Sequence, residues 1–461
     1  MPFTLGDTIA AISTPPGAGG VGVIRLSGPE AVSLLDRLFV PRTPGKPWRA
    51  AALTRGRIVD PATDKTLDDV LAVAFRAPRS YTGEDVAEIH AHGGRLNLQQ
   101  ILRLALDHGA RAAAPGEFTL RAFLNGRLDL TQAEAVRELI DSQTGAALAA
   151  SRRHLEGEVT RLCENVREAV LPALAHVEAM IDFPEESIEA AALSEYDAAL
   201  ARASDALDEA AKSYARGRLL HEGVEAVIVG LPNVGKSSLL NRLLRSERAI
   251  VADLPGTTRD LIEGVVELAG APVRFVDTAG VSEAARGVEA IGVERALKKL
   301  EHADLILWVV DGSRPLAQDD CRLAARFAGR RAIVVANKSD LPHAFAAEAL
   351  PPEAALWPRV ELSALTGDGL DALEAAIGRT LDVSPADADS LLITSARHEA
   401  AFAAAAAALA TTRAALTRPP VAWELVAVDL REALAQLEEV VGVTTPDAIL
   451  EQIFSRFCIG K

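Results

Sequence analysis

Gly230-Leu231-Pro232-Asn233-Val234-Gly235-Lys236-Ser237 has the spacing G-x-x-x-x-G-K-S, between an apolar run over 224–229 and a helix-like stretch opening Ser238-Leu239-Leu240. Glycines at this spacing let backbone N–H groups turn inward around phosphate oxygens, and a helix N-terminus adds partial positive charge. Lys236 can then reach the β- and γ-phosphates, and the Ser237 hydroxyl can bind Mg²⁺. Downstream stretches narrow the nucleotide. Asp277-Thr278-Ala279-Gly280 ends the apolar run 273–276, where its carboxylate suits the Mg²⁺ shell and the Gly280 N–H a γ-phosphate. Asn337-Lys338-Ser339-Asp340 ends the run 332–336, and Ser363-Ala364 follows another apolar stretch. A carboxylate such as Asp340 accepts from the ring N–H and the exocyclic amine of guanine, a pattern adenine does not offer. Strand, glycine-rich loop and helix fall in the order that a phosphate-binding loop requires. The spacing predicts a GTP site built from Gly230, Asn233, Val234, Gly235, Lys236, Ser237, Ser238, Asp277, Thr278, Ala279, Gly280, Asn337, Lys338, Asp340, Ser363 and Ala364.

Asp253-Leu254-Pro255-Gly256-Thr257-Thr258-Arg259-Asp260 stands where a switch should close over Mg²⁺ and the γ-phosphate. Thr258 is the first choice for that threonine, and Thr257 the second. In this order the motifs resemble those of the Ras-like GTPases. Hydrolysis needs a group that orients the attacking water, which in Ras is a glutamine directly after D-x-x-G. Here that position is Val281, which cannot do it; the carboxylates downstream are Glu283, Glu289 and Glu294. Two substitutes remain open. One is a carboxylate in the loop 281–289, and the other is a monovalent cation beside the phosphates, coordinated through the Asn233 carbonyl.

The elements that must position these residues divide by texture. Residues 1–124 mix short apolar runs with turns and predict a compact α+β domain, with helices over 30–39 and 96–108. From about 128 the chain becomes rich in Ala, Leu, Glu and Arg. Thr131-Gln132-Ala133-Glu134 has capping-box spacing and opens a long helical stretch that Pro172 can kink. A further helix is predicted over 195–216. An α/β pattern runs from about 222 to 381, and helical texture returns over 395–418 and 422–441. The predicted architecture is therefore multidomain: an N-terminal α+β domain (1–124), a discontinuous α-helical domain (125–219 and 384–461) and a Ras-like P-loop domain inserted into it (220–383). Thr445 as N-cap and Pro446 at the first helical position predict a last helix that buries Ile449, Ile453 and Phe457 and holds Cys458 in place.

At 461 residues the chain is long enough for about three domains, each with its own core. A net charge of −16 excludes a broad basic coat that grips nucleic acid unaided, though not a local patch. Cys163, Cys321 and Cys458 are far apart, lack metal-ligand spacing and suit a reducing compartment. With no signal-peptide pattern and no apolar run long enough to span a bilayer, a cytoplasmic protein is expected.

With the motifs assembled, the chain resembles the bacterial tRNA-modification GTPases of the MnmE (TrmE) family along its whole length. The resemblance rests on Asp7-Thr8-Ile9-Ala10-Ala11, Tyr81-Thr82-Gly83-Glu84-Asp85, Pro115-Gly116-Glu117-Phe118-Thr119, Pro255-Gly256-Thr257-Thr258-Arg259-Asp260 and the terminal Cys458-Ile459-Gly460-Lys461. It implies a folate-binding N-terminal domain that forms a homodimer, with 5-formyl-tetrahydrofolate or a related tetrahydrofolate held by Arg25, Glu88, Arg127 and Lys461. Position 127 departs from the family's usual Lys, which keeps the charge and changes the donor geometry. It further implies G domains that meet across K⁺, with Asn233, Val251, Leu254 and Gly256 as ion ligands, Ser237 and Thr258 at Mg²⁺, and Glu289 orienting the water. Cys458 is implied in the tRNA chemistry. The implied partner is the FAD-dependent MnmG (GidA), and the implied reaction adds a (carboxymethyl)aminomethyl group at C5 of wobble uridine in tRNA. Two other readings compete. A regulatory RNA or ribosome-assembly GTPase leaves residues 1–124 and Cys458 unexplained, and a folate-dependent transferase with a vestigial GTPase is opposed by complete motifs from Gly230 to Asp340.

Overall fold

The computed structural model describes residues 6–43, 51–183, 190–246, 249–250, 264–276, 303–344, 349–384, 386, 390–418 and 420–461. Contacts divide the chain into two units: Met1–Arg137 with His154–Leu171 and Arg431–Lys461, and Glu138–Arg153 with Pro172–Leu430. Both parts of the predicted helical domain, 125–219 and 384–461, thus contribute residues to both units. No helix among the described residues is long and apolar enough to cross a membrane.

The first unit is built on a seven-stranded sheet of order β3-β4-β5-β6-β2-β1-β7. Its strands are β1 (Ile9–Ile12), β2 (Val21–Ser27), β3 (Phe39–Pro41), β4 (Thr54–Asp60), β5 (Lys65–Phe75), β6 (Val86–His92) and β7 (Arg111–Ala112). Pairing is antiparallel except between β1 and β7. The period of two along a strand sorts its side chains. Ile24 and Leu26 join the core with Leu34 and Leu35 of the helix Ala31–Leu38 and Leu98 and Ile101 of the helix Arg95–Asp107. Arg25, between them, is left for the opposite face.

Ion pairs lock the corner behind that sheet. Arg121 and Glu117 are each 1% exposed, and Arg121 donates to Asp7 Oδ1 (2.6 Å), Glu117 Oε1 (3.1 Å) and Glu84 Oε2 (3.1 Å). Arg111 adds a second fork to Glu117 and Asp7. Burial pushes the Glu117 carboxyl up, but the bonds from Arg111, the Ala114 N–H and Arg121 outweigh it and hold the group below its ordinary 4.5. Asp7 is likewise lowered, its two arginines overcoming burial. Carboxylates that are more acidic folded than unfolded stabilise the native state above the unfolded value, and lose that effect as pH falls through the folded one. The first unit is therefore expected to keep this contribution above about pH 4.5 and lose it progressively in more acid solution. Thermal melts of wild type and Glu117→Gln between neutral and acid pH check this: the gap between them should close as the pH drops.

Two helix starts differ from the sequence reading. The cap of Leu130–Asp141 is Asp129, whose carboxylate accepts the Gln132 N–H (2.9 Å) while Gln132 Oε1 accepts the Asp129 N–H (3.1 Å). Thr131 is already inside the helix, donating to Asp129 Oδ1 (2.7 Å). The last helix is Asp447–Phe454 with Pro446 as its cap, because the Thr445 hydroxyl donates instead to the Glu439 carbonyl (3.1 Å). Its buried side chains are Leu450 and Phe454, with Phe457 beyond, packed on Leu120, Leu130 and Ala133. Phe457 is buried as predicted and Ile453 packs partly buried against the same cluster, while within the helix the deepest positions, Leu450 and Phe454, lie one residue on from Ile449 and Ile453.

The second unit holds another seven-stranded sheet, order β14-β13-β12-β8-β11-β10-β9. Its strands are β8 (Val224–Val229), β9 (Ala249–Ile250), β10 (Gly264–Leu268), β11 (Ala271–Val276), β12 (Leu305–Asp311), β13 (Ala332–Asn337) and β14 (Arg359–Leu362). The five strands from β14 to β11 pair in parallel, and β10 and β9 are antiparallel additions. Parallel strands are covered on both faces, which explains their unbroken apolar runs. Along β12, Leu305, Leu307 and Val309 face one core, and Ile306, Trp308 and Val310 the other. The helix Ala190–Glu222 outruns the predicted 195–216, and the helix Ala396–Leu416 lies against it. Small residues allow that approach: Ser204 Oγ donates to the Ala406 carbonyl (3.3 Å), and Arg413 pairs with Asp197 (2.9 Å). Pro172 sits within the continuous helix Glu158–Asp182.

Candidate functional site

Parallel sheets carry their ligand sites beyond the carboxyl ends of the strands, and β8, β13 and β14 end together here. β8 runs out at Val229; the helix Lys236–Leu244 starts at Gly235, whose φ of 98° is left-handed. An added Cβ at Gly235 would lie 2.1 Å from Asn337 Nδ2, so this turn accepts only glycine without a shift. The Lys236 ammonium spans the loop mouth, donating to the Gly230 and Leu231 carbonyls (both 2.9 Å). Phosphate oxygens can replace those acceptors without moving the helix.

Asn337, 2% exposed, ties three motifs together. Its Nδ2 donates to the Val234 carbonyl (2.8 Å), and its Oδ1 accepts the Ala364 N–H (2.9 Å). A buried amide with both ends bonded fixes its own orientation, and with it the two loops that it joins. Ser363 Oγ donates to Asp340 Oδ1 (2.5 Å), which aims that carboxylate and leaves its other oxygen for a ligand. Lys338 Nζ donates to Asp311 Oδ2 (2.6 Å) at the end of β12. Burial pushes the Asp311 carboxyl up, yet Lys338 and Ser313 outweigh it and hold the group below the ordinary carboxylate range. Gly235, Ser238, Asn337, Lys338, Asp340 and Ala364 line a cavity of about 430 Å³. It is open to solvent and lined by both polar and apolar groups, which suits a purine ring held by its edge.

The sequence-derived residues Gly230, Asn233, Val234, Gly235, Lys236, Ser237, Ser238, Asn337, Lys338, Asp340, Ser363 and Ala364 belong to this one region. Val251, Leu254, Gly256, Thr257, Thr258, Asp277, Thr278, Ala279, Gly280 and Glu289 lie outside the described residues. Asp311, Arg242, Asn241 and Arg245 escaped the sequence reading and are found at or beside the cavity. Asp311 had a usable signal, an acid at the end of an apolar strand. The other three lie in a helix whose outward face the sequence does not reveal.

A second assembly lies in the first unit, at the end of the chain. In the β2–β6 register Arg25 stands opposite Glu88, and its Nε donates to Glu88 Oε1 (2.9 Å). The Arg25 guanidinium lies over Tyr81 and Phe118, 5.4 and 5.8 Å from their ring centres. Cys458-Ile459-Gly460-Lys461 docks beside it. Ile459 bridges Pro115, the Gly116 N–H reaches the Cys458 carbonyl (3.4 Å) and Arg25 reaches the Gly460 carbonyl (3.5 Å). Cys458 is thus held by this bridge, four residues past the last helix, rather than by the helix itself; its thiol is exposed. Burial first, and then the Arg25 charge, lower the Lys461 pKa, against the pull of Glu88 and Cys458. An anion between Arg25 and Lys461 would relieve that repulsion. Arg127 lies against the Thr82–Gly83 turn, its Cγ 3.2 Å from where a Gly83 Cβ would stand.

Comparison with known proteins covers both units of the chain. Residues 8–127 match the family described as "GTP-binding protein TrmE N-terminus", and residues 130–458 match "MnmE helical domain". The tRNA modification GTPase MnmE of Geobacter sulfurreducens is 46% identical over 99% of both chains, and that of Geobacter metallireducens is 46% identical over 99% of this chain and 100% of its own. The chain belongs to the MnmE (TrmE) family of tRNA modification GTPases. A Roseiflexus MnmE is similar at 45% identity, again over 99% of each chain. The helical-domain match, over residues 130–458, spans the stretch that carries the second sheet.

Proposed function

We propose that this chain hydrolyses GTP to drive a tRNA modification, the (carboxymethyl)aminomethylation of wobble uridine at C5, together with the flavoprotein MnmG (GidA). The observation that carries the reading is the Asn337 clamp, which joins the phosphate loop at Val234 to the base loop at Ala364 beside Asp340. Family membership extends it from nucleotide binding to tRNA.

The residues present fit Mg²⁺ at the phosphates. Ser237 would hold it through a hydroxyl in the first turn of the helix, with Thr258 as the second ligand, while the Lys236 ammonium binds the phosphates beside it. When bound, the metal supplies charge neutralisation between the β- and γ-phosphates. Lys236 positions the phosphates, Asp340 selects the base and Glu289 orients the water. Asn233 sits in the loop with a φ of 63°, a left-handed turn suited to presenting backbone to an ion. We assign it, with Val251, Leu254 and Gly256, to a K⁺ whose charge stands in for an arginine finger when two G domains of a homodimer meet.

The terminal assembly fits a tetrahydrofolate such as 5-formyl-tetrahydrofolate. Arg25 and Lys461 suit its carboxylates, with Arg127 as the family resemblance implies, the Arg25 guanidinium is held against Tyr81 and Phe118, and Glu88 is the acceptor for ring N–H groups. Cys458 then stands where tRNA chemistry coupled to that donor takes place.

Steady-state turnover tests the reading. GTP is expected to be preferred over ATP, and hydrolysis to run faster in K⁺ than in Na⁺ by roughly 100-fold or more, the lower end of what one preorganised charge-stabilising group gives. Equal rates in both salts would remove K⁺ from the site, and a preference for ATP would remove the whole assignment. Nucleoside mass spectrometry of tRNA from a deletion strain should show loss of the modified wobble uridine.

A further inference from the structure

We propose that Arg242 is a positioning residue for guanine recognition, tying the base-binding loop to the helix that begins at the phosphates. The proposal rests on the nucleotide site described above and assigns a role that no GTPase motif contains. Arg242 stands in the last turn of the helix Lys236–Leu244. Its Nε donates to the Ala364 carbonyl (3.2 Å), and its terminal nitrogen donates to the Leu365 carbonyl. The planar guanidinium presents its donors to two successive carbonyls in a fixed fork, whereas an ammonium is a point charge on a flexible stem.

The consequence follows from what else holds that loop. The Ala364 peptide is gripped from both sides, its N–H by Asn337 Oδ1 and its C=O by Arg242. Ser363 precedes it and carries the hydroxyl that aims Asp340 (2.5 Å). Leu365 is 75% exposed, so side-chain burial adds little anchorage beyond Ala364. The loop's place against the cavity therefore depends on polar bonds, with Arg242 the one that reaches it from the phosphate helix. Arg242 also lines the cavity with Ser238 and Asn241 of the same helix face. Phosphate capture at Lys236 and base selection at Asp340 thus share one short, rigid rod. Without the arginine the loop can move away from the helix, and Ser363 no longer fixes the carboxylate.

Nucleotide kinetics on the full chain decide the matter, with a fluorescent GDP as probe and Arg242→Ala, Arg242→Lys and Arg242→Gln as variants. Losing two hydrogen bonds to the loop is expected to speed GDP release by roughly 10- to 100-fold. The loss should fall on KM for GTP rather than on kcat. Discrimination of GTP against ITP, which lacks the exocyclic amine, should narrow in parallel, because the Asp340 bond to that amine is the one left unaimed. Arg242→Lys, which keeps the charge but loses the fixed fork, should fall between wild type and Arg242→Ala. Should Arg242→Ala fail to fold, Arg242→Gln carries the same expectation. Wild-type GDP release together with an unchanged GTP/ITP ratio would overturn the proposal. So would a fall in kcat at constant KM, the mark of a role in the chemical step. If the unaltered chain binds no guanine nucleotide at all, the nucleotide assignment itself fails, and that result is visible before any variant is made.

Discussion

Asp340→Asn is expected to weaken GTP binding by roughly 10²- to 10⁴-fold and to shift preference towards xanthosine triphosphate. The carboxylate has two acceptor oxygens, of which Oδ1 is taken by the Ser363 hydroxyl. Guanine presents two N–H donors on that edge, and an amide replaces one acceptor with a donor facing them. The result is a lost charged hydrogen bond together with an opposed pair of donors, the kind of mismatch that discriminates most strongly. Xanthine carries a carbonyl where guanine carries its amine and so accepts from the new amide. Lys236 and the phosphate loop are untouched, so hydrolysis should recover at saturating xanthosine triphosphate. Competition binding with both triphosphates measures the switch. Equal loss of both nucleotides would mean that Asp340 supports the loop instead of reading the base.

The second large effect is expected in the first unit. Arg121→Met removes a cation that is 1% exposed and bonded to Asp7, Glu84 and Glu117. Methionine fills much of the volume, so the change isolates charge from packing. Glu117 is left 1% exposed with Arg111 as its remaining fork. Breaking a buried pair from one side is destabilising by about 3–5 kcal/mol, because the surviving charge stays out of water. For a unit of this size that is a fall of roughly 6–20 °C in its melting transition. The double variant Arg121→Met/Glu117→Gln should recover part of the loss, since it withdraws the stranded charge. A single variant that melts within a degree of wild type would show that water already reaches this corner.

How much of this was legible before folding differs by element. The phosphate loop was fully legible: G-x-x-x-x-G-K-S needs only a strand before it and a helix after it, and local sequence dictates both. The strands β8 and β13 were equally plain, because a strand covered on both faces must be apolar along its run. The base site was legible as residue types, since Asn337, Asp340 and Ser363 stand at strand ends where loops face a ligand. Small shifts at helix ends had local causes that the pattern concealed. Asp129 and Thr131 both offer cap oxygens, and Thr445 lost its capping role to a carbonyl six residues back.

What the sequence determined by itself is the list of groups: which side chains carry charge, where the glycines permit a left-handed turn, and which runs must be buried. These are properties of short windows, decided by sterics and solvation alone. Only the tertiary structure decided who meets whom. Arg25 stands beside the Gly460 carbonyl, Arg242 beside Ala364, and Asn337 beside Val234, across separations of 435, 122 and 103 residues. No window of sequence contains those distances. They exist because within each unit a sheet and the helices packed on it bury their apolar faces, and the polar groups left at its edges are then held together.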